Sequence, residues 1–154
     1  MILVVGATGL LGSEVCGQLA ARGKRVRALV RATSDPAKAD RLAALGAEVV
    51  HGDLRDAGSL AAACQGVSTI ITTASALPVA YQPEVNSPAI TDRDGYLSLI
   101  AAAGAAGVQR FVYTSFPPMP IFFPLQDAKR TVEAGLRSSG LTYTILQPTF
   151  FNEV

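Results

Sequence analysis

Six short β-rich runs, separated by helical stretches that mostly end in glycine, constrain this chain more than any other feature. Ile2–Val5 is a four-residue apolar run that stops at Gly6. A helix is predicted over about 9–22, closed by Gly23. Val26–Val30 is the second strand. Ser34-Asp35-Pro36 opens the next helix with a capping side chain followed by proline in the first turn, and that helix ends at Gly46. Glu48–His51 is the third strand, and Asp56 caps a helix over about 57–65 that Gly66 closes. The fourth strand, 68–73, is rich in β-branched residues. Residues 74–90 read as a loop holding Pro78, Pro83 and Pro88, followed by a helix over about 91–106. Arg110–Thr114 is the fifth strand. Four prolines make 115–124 irregular. A helix over about 125–138 and a sixth strand, Thr142–Leu146, complete the pattern.

Alternation of this kind predicts an α/β fold. Strands that are short, continuous and apolar are expected to be covered on both faces. Right-handed crossovers then favour a doubly wound parallel sheet (a Rossmann fold) of six strands in the order 3-2-1-4-5-6. At 154 residues, with 49% hydrophobic and 16% charged residues, the chain is long and apolar enough for one domain with a real core. A net charge of +1 gives no bulk reason to expect nucleic acid or an acidic membrane as a partner. The expected partner is a small-molecule substrate, and oligomeric state is not set by the pattern. Cys16 and Cys64 form no spacing motif and read as buried free thiols, which suits a reducing cytoplasm. No basic stretch precedes the first strand, and the apolar segment 97–108 is too short to span a bilayer.

The strongest candidate site is Gly6-Ala7-Thr8-Gly9-Leu10-Leu11-Gly12, placed between the first strand and the first helix. Gly6 permits a sharp turn. Gly9, without a Cβ, lets backbone approach a pyrophosphate. Gly12 lets the helix pack against the sheet. Unpaired amides and the positive end of the helix dipole face the phosphates. The spacing is G-x-x-G-x-x-G, and its position at the head of a full βαβ series gives it force.

The end of the second strand selects the nucleotide. A carboxylate there would accept from a ribose 2′-hydroxyl and repel a 2′-phosphate. Val30-Arg31 occupies that position instead. Arg31 can pair with the phosphate through two charge-assisted hydrogen bonds, with Ser34 and Lys38 near enough to assist. The expected cofactor is NADP(H) in preference to NAD(H). Beyond the third strand, Asp53 can accept from the adenine amino group and Leu54 can cover the ring. Beyond the fourth, Thr73, Ala74 and Ser75 leave room for ribose and pyrophosphate. His51 reads as a packed or edge histidine. Asp92 and Asp94 read as first-turn carboxylates that favour the helix dipole. Tyr81, in the proline-containing loop, is a candidate proton donor.

With these segments in hand, the chain resembles the short-chain dehydrogenase/reductase superfamily, in particular its NmrA-like branch of isoflavone-reductase-like enzymes and NADPH–quinone oxidoreductases. The resemblance rests on the glycine turn, Leu29-Val30-Arg31, Gly52-Asp53-Leu54-Arg55-Asp56, residues 105–115 and residues 139–148. It implies a Rossmann domain over 1–154 without the smaller substrate domain that such proteins place after the sixth strand. It also implies that Ser115 and Lys129 are the catalytic serine and lysine, with Lys129 binding the nicotinamide ribose or assisting protonation through water. The tyrosine expected four residues before the lysine is replaced by Leu125. Pro148, with Thr149 and Phe150, is expected near the nicotinamide. The apolar loop 115–124 is suited to covering a flat substrate. The expected activity is NADPH-dependent reduction of a quinone or a small apolar carbonyl or enone. The alternative is a non-enzymatic NADP(H)-sensing module. An epimerase-like reaction fits less well, because that chemistry keeps the tyrosine.

Overall fold

The computed structural model describes residues 1–76 and 84–149. Pro78, Tyr81, Pro83 and Phe150 lie outside the described residues. The strands are β1 (Ile2–Val5), β2 (Val26–Val30), β3 (Glu48–His51), β4 (Thr69–Thr72), β5 (Arg110–Thr114) and β6 (Thr142–Leu146). They form one six-stranded sheet in the order β3-β2-β1-β4-β5-β6, with every neighbouring pair parallel. This is the doubly wound α/β arrangement that the sequence predicts. Ile2–Val5 pairs in register with Val26–Leu29 on one side and with Thr69–Thr72 on the other.

Alternation along β1 divides the core between the two sheet faces. Val4 joins Ala28, Val30, Cys16 and Leu42 beneath α1 (Leu10–Ala21) and α2 (Pro36–Ala44). Leu3 and Val5 join Ile70, Phe111, Leu99, Val132 and Leu136. Those residues lie beneath α3 (Ala57–Ala63), α4 (Tyr96–Ala105) and α5 (Pro124–Ser138). The expectation that all strands are covered on both faces holds for the centre of the sheet and not for its edges. Both ends of β3 are exposed, and in β6 the side chains of Tyr143 and Leu146 are 40% and 49% exposed. An edge strand has a neighbour on one side only, so helices that cover the centre do not reach it fully.

Local chemistry accounts for the helix starts. The Asp35 carboxylate accepts from the Ala37 amide at 3.0 Å, with Pro36 in the first turn. The Asp56 carboxylate accepts from the Gly58 and Ser59 amides. Each such cap is worth about 0.5–2 kcal/mol.

One helix departs from expectation. The segment predicted to begin at Thr91 begins at Pro88, and Pro88–Gly95 is π-helical before it continues as α4. The Ser87 hydroxyl accepts from the Ile90 amide and Pro88 occupies the first position, so the start has its own cap. The wider turn carries Thr91, Asp92 and Gly95 to the inside, where all three are buried.

Candidate functional site

The chain leaves β1 at Gly6 with φ of +90°, a conformation that strongly favours glycine. A Cβ at Gly6 would lie 2.6 Å from the Ala74 nitrogen, so β1's exit and the segment after β4 are in direct contact. A Cβ at Gly12 would lie 2.0 Å from the Gly6 carbonyl oxygen. Gly12 is therefore required by the turn's own backbone, a closer constraint than the helix-to-sheet packing expected for it. The Gly9 amide donates to the Gly6 carbonyl at 3.0 Å, and Gly9 sits at the head of α1 with no side chain capping the helix. The first-turn amides thus face outward with the positive end of the helix dipole.

A cavity of about 610 Å³ runs from this turn across the carboxyl ends of β1, β2, β3 and β4. Gly6, Thr8, Gly9 and Leu10 form one wall, and Thr73, Ala74 and Ser75 form another. Arg31 and Lys38 stand on the β2 side, with Asp53, Leu54 and Arg55 beyond β3. Neither the Arg31 nor the Lys38 side chain makes a hydrogen bond or ion pair among the described residues, and both are exposed. Leu10 is 87% exposed, a large apolar side chain held open beside the turn.

Asp53 is already paired. Arg55 donates through Nε to one carboxylate oxygen at 2.9 Å and through Nη2 to the other at 2.6 Å, and the Arg55 amide adds a third bond at 2.9 Å. The hydrogen bond from Arg55 holds the Asp53 carboxyl below its ordinary range, and the charge of Arg31 acts in the same direction. Spacing did not reveal this pairing, because an i, i+2 ion pair in a loop has no periodic signature.

Of the remaining sequence candidates, Leu11 and Gly12 lie in the first turn of α1 behind the cavity wall, and Ser34 lies in the turn before α2. Pro148 follows β6 and is half-buried. Ser115 is 5% exposed at the tip of β5. Its hydroxyl donates to Glu133 at 2.6 Å and accepts from Arg130 at 3.2 Å. Glu133, 2% exposed, also accepts from Gln147 and pairs with Arg130, so this carboxylate ties the ends of β5 and β6 to α5.

Lys129 is 5% exposed. Its ammonium donates to the Thr114 carbonyl at 3.2 Å, lies 3.6 Å from the Asp92 carboxylate, and sits over the rings of Tyr113 and Tyr96. Burial pushes its pKa down, and Asp92 opposes that shift. Asp92 is fully buried, so it is not the dipole-facing carboxylate expected from its place near a helix start. Its other oxygen accepts from the Ala76 amide at 2.8 Å, and the Tyr96 hydroxyl donates to the Ala74 carbonyl at 2.6 Å. These two bonds anchor the chain segment that forms the β4 wall of the cavity. Burial raises both tyrosine pKa values far above the ordinary range.

The loop after β5 is tied in place while leaving an apolar surface outward. Phe116 and Phe123 stack with centroids 5.7 Å apart, and Gln126 bonds the backbone of Met119 and Ile121. Ile121 and Phe122 are 62% and 82% exposed.

The chain is 34% identical over 148 residues to the photosystem II assembly factor Ycf39 of Trieres chinensis, covering 95% of this chain and 44% of that protein. It is 35% identical over 158 residues to quinone oxidoreductase 2 of Escherichia coli strain K12, covering 99% of this chain and 50% of that one. Among solved structures, the triphenylmethane reductase of a Citrobacter species complexed with NADP(H) superposes with a TM-score of 0.78. That protein is 27% identical, and the match covers 99% of this chain and 51% of its own. The chain thus spans about half the length of the relatives it matches. Residues 1–154 match the NmrA-like family along their whole extent, and the chain belongs to that family.

Proposed function

We propose that this chain binds NADP(H) in the cavity at the strand ends and serves an NADPH-dependent oxidoreductase acting on a quinone or a small apolar carbonyl or enone. The observation that carries the reading is the union, in one cavity, of an uncapped helix start behind a glycine turn and two cations, Arg31 and Lys38, that have no partner among the described residues. The amides suit a diphosphate. The cations suit a further phosphate, and the end of β2 holds no carboxylate to repel it. The NADP(H) complex of the triphenylmethane reductase relative supports the same choice.

Bound NADPH would supply hydride, and the protein's part is binding, orientation and exclusion of water. Leu54, buried at the adenine end, offers an apolar surface to the base. Lys129 and Ser115 stand at the tip of β5 and are the residues proposed for the nicotinamide end. In this role Lys129 holds the ribose or passes a proton through water. A quinone demands less of a protein acid than a ketone does, which accommodates Leu125 in place of a tyrosine. The relationship to quinone oxidoreductase 2 points the same way.

A second reading, a non-enzymatic NADP(H)-responsive module, has its own support. Ser115 and Lys129 are both engaged in internal hydrogen bonds and neither lines the cavity. Several relatives are photosystem II assembly factors. NADPH oxidation measured against a panel of quinones separates the two. Turnover that falls at least about tenfold in Lys129→Ala, in protein whose unfolding curve shows it folded, supports the oxidoreductase. Saturable NADPH binding with no turnover on any acceptor supports the second reading. Calorimetry showing no binding of either nicotinamide dinucleotide to folded protein overturns both.

A further inference from the structure

We propose that Arg55 determines cofactor specificity without itself holding the extra phosphate, by neutralising Asp53 so that Arg31 and Lys38 remain available. This rests on the NADP(H) reading of the cavity.

Among the described residues, four charged side chains line the nucleotide end of the cavity: Arg31, Lys38, Asp53 and Arg55. Asp53 is the carboxylate among them and the natural competitor for Arg31. Its two oxygens are both taken by Arg55, in the forked geometry that guanidinium and carboxylate favour. The remaining Nη1 of Arg55 donates to the Val85 carbonyl at 2.7 Å. The guanidinium is therefore held on three sides. It is spent on Asp53 and on the backbone at residue 85, and cannot turn toward a phosphate without giving up these bonds.

The consequence is a division of labour. Arg55 cancels a negative charge, and the other two cations stay unpaired. A carboxylate oxygen has spare lone-pair capacity, so Asp53 can still accept from an adenine amino group while its charge is masked. Without Arg55, a bare carboxylate would stand in the same cavity as the 2′-phosphate. It would repel that phosphate and attract Arg31, and both effects act against NADP(H). NAD(H), which lacks the phosphate, escapes most of this penalty. The site's preference therefore depends on a residue outside the strand-two position at which such preference is usually sought.

The experiment is calorimetric titration of NADP⁺ and NAD⁺ into the wild-type protein and into Arg55→Ala, Asp53→Asn and the double variant, at low ionic strength. Arg55→Ala is expected to weaken NADP⁺ binding about tenfold and NAD⁺ binding less than about threefold, with the difference shrinking as salt is added. Removing the carboxylate as well should restore NADP⁺ affinity to within about threefold of Asp53→Asn alone. A double variant as weak as Arg55→Ala would show that Arg55 acts through the Val85 bond or through direct contact, and would overturn the proposal. So would unchanged NADP⁺ binding in Arg55→Ala. Failure of the wild-type protein to bind NADP⁺ is a different result, which removes the NADP(H) reading itself. Arg55 is partly exposed, and circular dichroism of each variant verifies the fold before titration.

Discussion

Substituting Asp92→Asn should expose how the fold tolerates a buried lysine. Asparagine keeps an oxygen for the Ala76 amide, so the substitution removes charge and little else. Lys129, with a side chain 7% exposed, then has no counter-charge at 3.6 Å. The folded variant must hold an unpaired ammonium or release its proton. Holding it costs about 3–5 kcal/mol, the usual penalty for breaking a buried pair. Releasing it costs about 1.36 kcal/mol for each pH unit below the ordinary lysine value of 10.5, hence about 5 kcal/mol at pH 7 and about 2 kcal/mol at pH 9. The unfolded chain keeps that proton up to 10.5 while the folded variant has lost it, so the unfolded state binds more protons and stability rises with pH. The expected result is a loss of about 3–5 kcal/mol at pH 7 that shrinks to about 2 kcal/mol or less at pH 9. Adding Lys129→Met should recover much of it. Because the chain has no tryptophan, urea unfolding is best followed by far-ultraviolet circular dichroism. An unchanged midpoint at pH 7, or a loss equally large at pH 9, would show that Lys129 is not held charged against Asp92.

Three further expectations concern the glycines of α1 and the two cysteines. Gly12→Ala places a Cβ 2.0 Å from the Gly6 carbonyl and should lower stability by about 1–3 kcal/mol and abolish NADP⁺ binding. Gly17→Ala in the same helix meets nothing within 4 Å and should stabilise by up to about 1 kcal/mol; thermal melting of the pair separates crowding from helix propensity. Burial pushes the Cys16 and Cys64 thiols up to about 11, so neither should react with a disulfide reagent at neutral pH in native protein, and both should react once it is unfolded.

The fold was legible because its signals are local. The apolar run Ile2–Val5, the caps at Asp35 and Asp56 and the glycines closing the helices all act within a few residues, right-handed crossovers favour a doubly wound sheet, and 3-2-1-4-5-6 is the usual strand order of that arrangement. The glycine turn and Arg31 were legible for the same reason. Asp92 was not. A carboxylate near a helix start reads as a dipole partner, and only the π-helical turn together with α5 brings it to Lys129 in the interior. Glu133 was hidden in the same way. Its i+4 spacing from Lys129 suggests a surface pair, whereas it is buried among Ser115, Arg130 and Gln147, the last of which arrives from beyond β6. Side chains whose partners come from distant elements carry no mark of that in their own neighbourhood.

The two ends of the sheet's carboxyl edge are consequently built on opposite principles. At the β2 side, Arg31 and Lys38 stand exposed and unpaired among the described residues, and Asp53, the carboxylate among the described residues lining the cavity, is masked by Arg55. That end is ready for an anion from solution, and its strength should fall with salt. At the β5 side, Lys129, Asp92, Ser115 and Glu133 are buried and bonded to one another or to backbone. There the charges hold the cavity wall through Ala76, and they hold the ends of β5 and β6 through Ser115 and Gln147. A substitution at the first end should change which nucleotide binds while the protein stays folded. A substitution at the second should change stability together with any chemistry that Lys129 or Ser115 supplies, so activity lost there has meaning only beside an unfolding curve.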